Sequence, residues 1–178
     1  MITTVPGSYA VWGAAMLVFD SRGRIVLVRE LEGRPEVGKQ PGMRSIPMGE
    51  RRPGEFFGRT AEREFLEETG WQASVERMLG FFEIQMTGPY KVGIWAYLGR
   101  LTGVVGVRSS KTTMDTPPLT VSAFLRLRSF ELRPQNREIY ARYLDQQKLL
   151  GLGVPLSWID EVAFSVAPPE AKEQMARE

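Results

Sequence analysis

Glu64, Glu67 and Glu68 are spaced three and four residues apart, so on a helix all three carboxylates leave the same face of one turn. Like charges packed this closely destabilise an isolated helix, and a cation neutralises them. Carboxylate oxygens are hard ligands, and the metals that suit them are Mg²⁺ and Mn²⁺. The chain contains no histidine and no cysteine. That excludes a Ser-His-Asp triad, His-ligated zinc, thiolate metal sites and disulfides. Acid–base chemistry is left to carboxylates, Lys, Tyr or water activated by a metal.

The elements that must position these carboxylates can be read from the pattern around them. A turn-rich stretch with Pro53 and Gly54 precedes a run of helical periodicity, predicted as a helix over 56–69 and stopped by Gly70 as a left-handed cap. Upstream, residues 8–19 form a near-continuous apolar run, the pattern of a strand covered on both faces. Asp20–Gly23 is a turn, Arg24–Arg29 reads as the returning hairpin strand, and Arg44–Pro47 as a short strand leading toward the helix. Downstream, 72–86 and Lys91–Leu101 read as strands joined by a turn at Thr87–Tyr90. The Gly-, Ser- and Thr-rich stretch 102–118 reads as a loop, Leu119–Leu127 as another strand, and 135–150 as a helix with Ile139, Tyr143, Leu144 and Leu150 on its apolar face. This order predicts an α+β fold with helices on both sides of a sheet.

An acidic helix with Arg59 and Arg63 nearby is also the pattern of a solvated surface. What separates the two readings is the fixed framework from Gly49 to Trp71, GERRPGEFFGRTAEREFLEETGW. Gly49, Glu55, Arg63, Glu64, Glu67, Glu68 and Gly70 match all seven fixed positions of G-x5-E-x7-R-E-U-x-E-E-x-G-U, with Phe65 and Trp71 at the two apolar U positions. This segment resembles the Nudix box, and the chain resembles a Nudix hydrolase of the MutT-like group.

The resemblance implies a Nudix fold, an α/β/α sandwich around a mixed β-sheet carrying the box as loop-helix-loop, over a single domain 1–178 with a core of about 8–151 and a C-terminal extension 152–178. It implies divalent-metal-dependent cleavage of a diphosphate linkage in a nucleoside diphosphate derivative, foremost a nucleoside triphosphate or dinucleoside polyphosphate. A non-catalytic nucleotide-binding module, an ADP-sugar hydrolase and an RNA 5′-end pyrophosphohydrolase are the alternatives. By the same resemblance, Glu64, Glu67, Glu68 and the backbone carbonyl of Met48 hold Mg²⁺ or Mn²⁺. Glu64 or Glu67 serves as base, and Arg63 and Glu55 orient the acidic cluster.

Many relatives carry a further acid in the loop before the last core strand. Here Thr116–Phe124 contains none, and Asp115 and Glu83 are the nearest substitutes. The proline that some ADP-sugar hydrolases place sixteen residues after the box glycine is Met86 in this chain.

For phosphate recognition the candidates are Arg34, Lys39, Arg44, Arg51 and Arg52, all close in sequence to the box. Tyr90, near the position of a tyrosine in dinucleoside polyphosphate hydrolases, is the candidate for the base. Tyr9, Trp12, Phe82 and Trp95 are further aromatics, though an aromatic on an apolar strand more often belongs to the core. The net charge of +2 and the lack of a basic arm argue against a nucleic-acid partner. The run Tyr9–Phe19 is too short to span a bilayer and lacks the basic residues of a signal peptide. The expectation is therefore a cytoplasmic enzyme acting on a small-molecule nucleotide, and the resemblance is compatible with a homodimer.

Overall fold

The computed structural model describes residues 9–106 and 108–177. Alternation along the first strand organises it. In β1 (Tyr9–Phe19), Ala15 and Leu17 enter one apolar cluster, while Ala14, Met16 and Val18 enter another on the opposite face, all fully buried. The continuous apolar run thus reflects a central strand, as predicted.

β1 pairs in parallel with β6 (Lys91–Val104) and antiparallel with β4 (Met48–Glu50). β5 (Trp71–Gln85) runs antiparallel to β6, which gives a mixed four-stranded sheet of order β4-β1-β6-β5. A smaller antiparallel sheet joins β3 (Arg44–Ser45), β2 (Val28–Glu30) and β7 (Thr113–Asp115) in the order β3-β2-β7.

Helices cover both faces. α1 (Phe57–Thr69) buries Phe57, Ala61 and Phe65 against Met16, Val18 and Trp95. It ends where predicted: Gly70 takes φ 73° and donates its N–H to the Leu66 carbonyl. On the other face, α2 (Val121–Arg126) and α3 (Gln135–Gly151) bury Phe124, Ile139 and Tyr140 against Ile84, Ile94 and Leu98. α4 (Leu156–Ser165) packs on β5, and its Phe164 stacks on Trp95 at 6.0 Å. α5 (Pro169–Ala176) returns to the α1 side, where Ala171 is fully buried.

Four expectations need correction. Leu119–Leu127 is not a strand. Thr120 caps a short helix by accepting from the Ala123 N–H at 3.2 Å, and Val121 and Phe124 meet the core at helical spacing. Only Leu119 keeps a strand contact, bridging to Ile25.

The hairpin strand expected over Arg24–Arg29 is pairing-poor. Ile25 bridges Phe19, and regular pairing starts at Val28, although Ile25, Val26 and Leu27 are all buried. Their apolar character reflects a crossing between the two sheets. The stretch 102–118 is not all loop, since it contains the end of β6 and all of β7. On α3, Ile139 is buried as expected, whereas Leu144 is exposed.

Phe65 shows how the box helix is anchored. Its ring is fully buried, in the cluster with Met16, Val18 and Trp95. Phe65→Ala is expected to lower unfolding free energy by about 3–5 kcal/mol, measured by urea denaturation.

Candidate active site

The box loop approaches α1 very closely. A Cβ on Gly49 would sit 2.1 Å from the Glu64 Cδ, so only glycine leaves room for that carboxylate against the strand. Met48, one residue earlier on β4, donates its N–H to Glu68 Oε2 at 3.1 Å. Two turns of the acidic face are therefore docked onto the backbone of β4.

Arg63 organises the other carboxylates. Its Nε donates to Glu55 Oε1 at 2.7 Å and its Nη2 to Glu55 Oε2 at 2.8 Å, a bidentate pair. Nη2 also donates to the Glu50 carbonyl at 2.9 Å. Nη1 reaches both Glu64 and, at 3.4 Å, Glu67 Oε2. Glu67 also accepts from Arg52 Nη2 at 2.9 Å.

These environments divide the carboxylates. The bidentate Arg63 guanidinium pulls the Glu55 carboxyl down to about 2. Burial raises Glu64 above its ordinary range despite Arg63. Burial, reinforced by the Glu30 charge, pushes Glu68 up to about 8. Glu68 is 6% exposed, and the Met48 N–H supports it with a single hydrogen bond. A buried carboxylate held this way is short of positive charge.

Glu64, Glu67 and Glu68 face a cavity of about 450 Å³. Met48, Gly49 and Glu50 form its box side, and Val11, Ile84, Met86, Val92 and Ile94 form an aliphatic floor. Arg34, Lys39 and Arg133 also line the cavity, as does the segment Ser109–Thr112. That segment is fastened to the helix end. The Ser109 and Ser110 amides donate to the Glu67 carbonyl at 3.0 and 2.9 Å, and Arg108 Nε donates to the Glu68 carbonyl at 2.7 Å.

The structure thus brings Glu64, Glu67, Glu68, Met48, Arg34 and Lys39 to one cavity. It places the remaining candidates elsewhere. Arg44 belongs to β3, where its carbonyl accepts from the Arg133 N–H at 3.1 Å. Arg51 lies over the Phe57 ring, 4.7 Å from the centroid, and donates to the Gln174 carbonyl at 3.3 Å, which fastens α5. Tyr90 closes the β5–β6 turn, its carbonyl accepting from the Met86 N–H. None of these three lines the cavity.

Nor do the aromatics. Tyr9, Trp12 and Phe81 pack on one another, and Phe82 and Trp95 are core residues. Glu83 is engaged by Tyr9 and Lys91, and Asp115 by Arg108, so neither replaces the loop acid at the cavity. Arg133 and Glu30 went unrecognised in the sequence because no motif surrounds them. They reach the site only through the pairing of the small sheet and the start of α3.

The depressed Glu55 carboxyl has a direct consequence for stability. A carboxyl lowered on folding stabilises above its unfolded value near 4.5, and that contribution is lost as pH falls through about 2. Glu55→Gln is therefore expected to cost about 2 kcal/mol at pH 7. The gap from the wild type should narrow as pH falls below 4.5, read from urea denaturation at each pH.

The comparisons agree with this geometry. The family model for the NUDIX domain matches residues 10–143, more than half of the chain. Among solved structures, the MutT protein from Methanosarcina mazei Go1 superposes with a TM-score of 0.66 at 20% identity, covering 82% of this chain and 99% of that one. A NUDIX hydrolase from Nitrosomonas europaea gives 0.64 at 16% identity, covering 76% and 89%. A structure described as a UDP-X diphosphatase gives 0.52 at 16% identity, covering 82% and 66%. A comparison with curated proteins gives no match. A match of this extent to the family model, on a fold that carries every fixed position of the box, makes this chain a member of the Nudix hydrolase family.

Proposed function

We propose that this Nudix hydrolase cleaves a diphosphate linkage in a nucleoside diphosphate derivative, foremost a nucleoside triphosphate or dinucleoside polyphosphate, with Mg²⁺ or Mn²⁺ held by Glu64, Glu67 and Glu68. The observation that carries this reading is the juxtaposition, in one cavity, of that acidic helix face and a wall of cations including Arg34 and Lys39.

The metal's fit rests on the donors. Glu68 is a buried carboxylate short of positive charge, and Glu64 is raised by burial as well. Arg63 and Arg52 draw Glu64 and Glu67 onto themselves, and among the described residues no three acidic side chains are gathered closely enough to hold an ion. Carboxylates of the right type thus share one face of the cavity, with guanidinium groups holding the charge that a divalent cation would compete for. When bound, such an ion neutralises phosphoryl oxygens and makes water easier to deprotonate.

The remaining steps fall to the protein's own groups. Arg63, anchored by Glu55, holds Glu64 in place at the cavity. Glu64 or Glu67 accepts the proton of the attacking water. The water oxygen bonds to phosphorus as the bridging P–O bond breaks, and the leaving phosphate departs with the bonding electrons. Glu68, more buried than the other two, serves as ligand rather than base. The aliphatic floor of Ile84, Met86, Val92 and Ile94 receives the rest of the substrate without an aromatic ring to stack on it. The setting is proposed to be the cytoplasm, and no helix among the described residues is long and apolar enough to cross a membrane.

Glu67→Gln is expected to abolish metal-dependent turnover across a panel of nucleoside triphosphates, dinucleoside polyphosphates and nucleotide sugars, with an unchanged circular dichroism spectrum. Wild-type activity in that variant would sink the reading. Nucleotide affinity without any product from the wild type would favour a binding module instead. Glu68 gives a second check. A carboxyl raised on folding costs stability increasingly as pH rises from its unfolded value near 4.5 through about 8. In the absence of divalent metal, Glu68→Gln should be more stable than the wild type by about 1 kcal/mol at pH 8.5, with no advantage at pH 4.5.

A further inference from the structure

Near Glu68 the cavity holds a second charged cluster, of which the steps above leave Arg133 and Glu30 unused. Glu30, at the end of β2, is 3% exposed. Lys39 Nζ lies 2.6 Å from its Oε2, and Arg133 Nη1 lies 3.5 Å from its Oε1. Lys39 and Arg133 are only 9% and 7% exposed, yet both line the cavity. Two cations share the Glu30 carboxylate where solvent screens them little.

Arg133 is under-used by the protein itself. Its contact with Glu30 is long, and its Nε has no hydrogen-bond partner. Arg133 and Lys39 both feel the Glu68 charge, but neither makes a direct ion pair with it. The main chain nevertheless holds Arg133 firmly: its N–H donates to the Arg44 carbonyl at 3.1 Å, and the Arg44 N–H donates to Glu131 at 2.7 Å. A fixed, under-bonded guanidinium that lines the cavity beside an ammonium suits an oxyanion lying against both side chains.

We propose that Arg133 and Lys39, oriented by Glu30, form the receptor for the phosphate group of the substrate that is not attacked, next to the Glu68 end of the helix where hydrolysis takes place. The proposal rests on reading the cavity as a diphosphate site, and it adds Arg133 as a substrate-contacting residue and Glu30 as a positioning residue. It also gives the substrate an orientation: one phosphate lies at the carboxylate face and its neighbour at the cationic wall, with the remainder over the aliphatic floor.

The test is titration calorimetry of inorganic pyrophosphate into the protein without divalent metal, comparing wild type with Arg133→Met, Arg133→Lys and Lys39→Met, each checked for folding by thermal melting. Wild type should bind pyrophosphate. The two methionine variants should bind about tenfold or more weakly, and Arg133→Lys should recover part of the loss. With nucleoside triphosphate and Mg²⁺, the methionine variants should raise KM by a similar factor with kcat within about threefold. Should Arg133→Met fail to fold, Arg133→Lys and Lys39→Met carry the comparison. Unchanged pyrophosphate affinity in the folded variants overturns the proposal, as does a fall in kcat at constant KM. Pyrophosphate binding that depends on Arg133, in a protein that hydrolyses nothing on the panel, upholds this receptor while refuting the proposed reaction.

Discussion

Arg63 takes its charge into a nest of acids, and the arrangement of the site depends on what that guanidinium can hold at once. Its bidentate pair with Glu55 ties the box loop to the helix, its bond to the Glu50 carbonyl ties the helix to β4, and Nη1 reaches Glu64 and Glu67. Without a cation in that position, the acidic face would repel itself and the loop would lose its anchor. The fork geometry of arginine matters, because a lysine could not serve a bidentate carboxylate and a carbonyl together.

The carboxylates around this hub are graded by depth. Glu55 is held ionised by its pair, Glu64 is shifted upward by burial, and Glu68 lies deepest, with one N–H for support. Glycine at 49 makes this depth possible, since it lets the Glu64 carboxylate lie against the strand. Shape and charge are therefore coupled: the close approach that desolvates the acids also leaves them facing the cavity.

The helix, its glycine stop and the central strand were legible because each rests on local chemistry: fixed spacing around Glu64, Glu67 and Glu68, the left-handed cap at Gly70, and an apolar run buried on both faces. Leu119–Leu127 misled because apolar content outweighed the helical spacing of Val121 and Phe124, with Thr120 as cap. Sequence proximity to the box also misled. Arg51 lies inside the box loop yet is turned to Phe57 and α5, whereas Arg133, eighty-odd residues further on, lines the cavity because its N–H is bonded to Arg44 of β3. Such long-range placement leaves no trace in spacing, and Glu30 was hidden for the same reason.

The segment from Arg108 to Thr113 has the composition of a permissive linker, rich in small polar residues. Its bonds are of another kind. The Ser109 and Ser110 amides close on the Glu67 carbonyl, Arg108 on those of Glu68 and Thr113, and β7 follows at once to pair with β2. Both ends are thereby tied to fixed points, one on the helix that carries the carboxylates and the other on the small sheet. Chain length between them is dictated by the span rather than left free, and an inserted or deleted residue would have to distort one of those ties. A stretch that looks like the safest place in the chain to graft a tag or a loop is among the least tolerant.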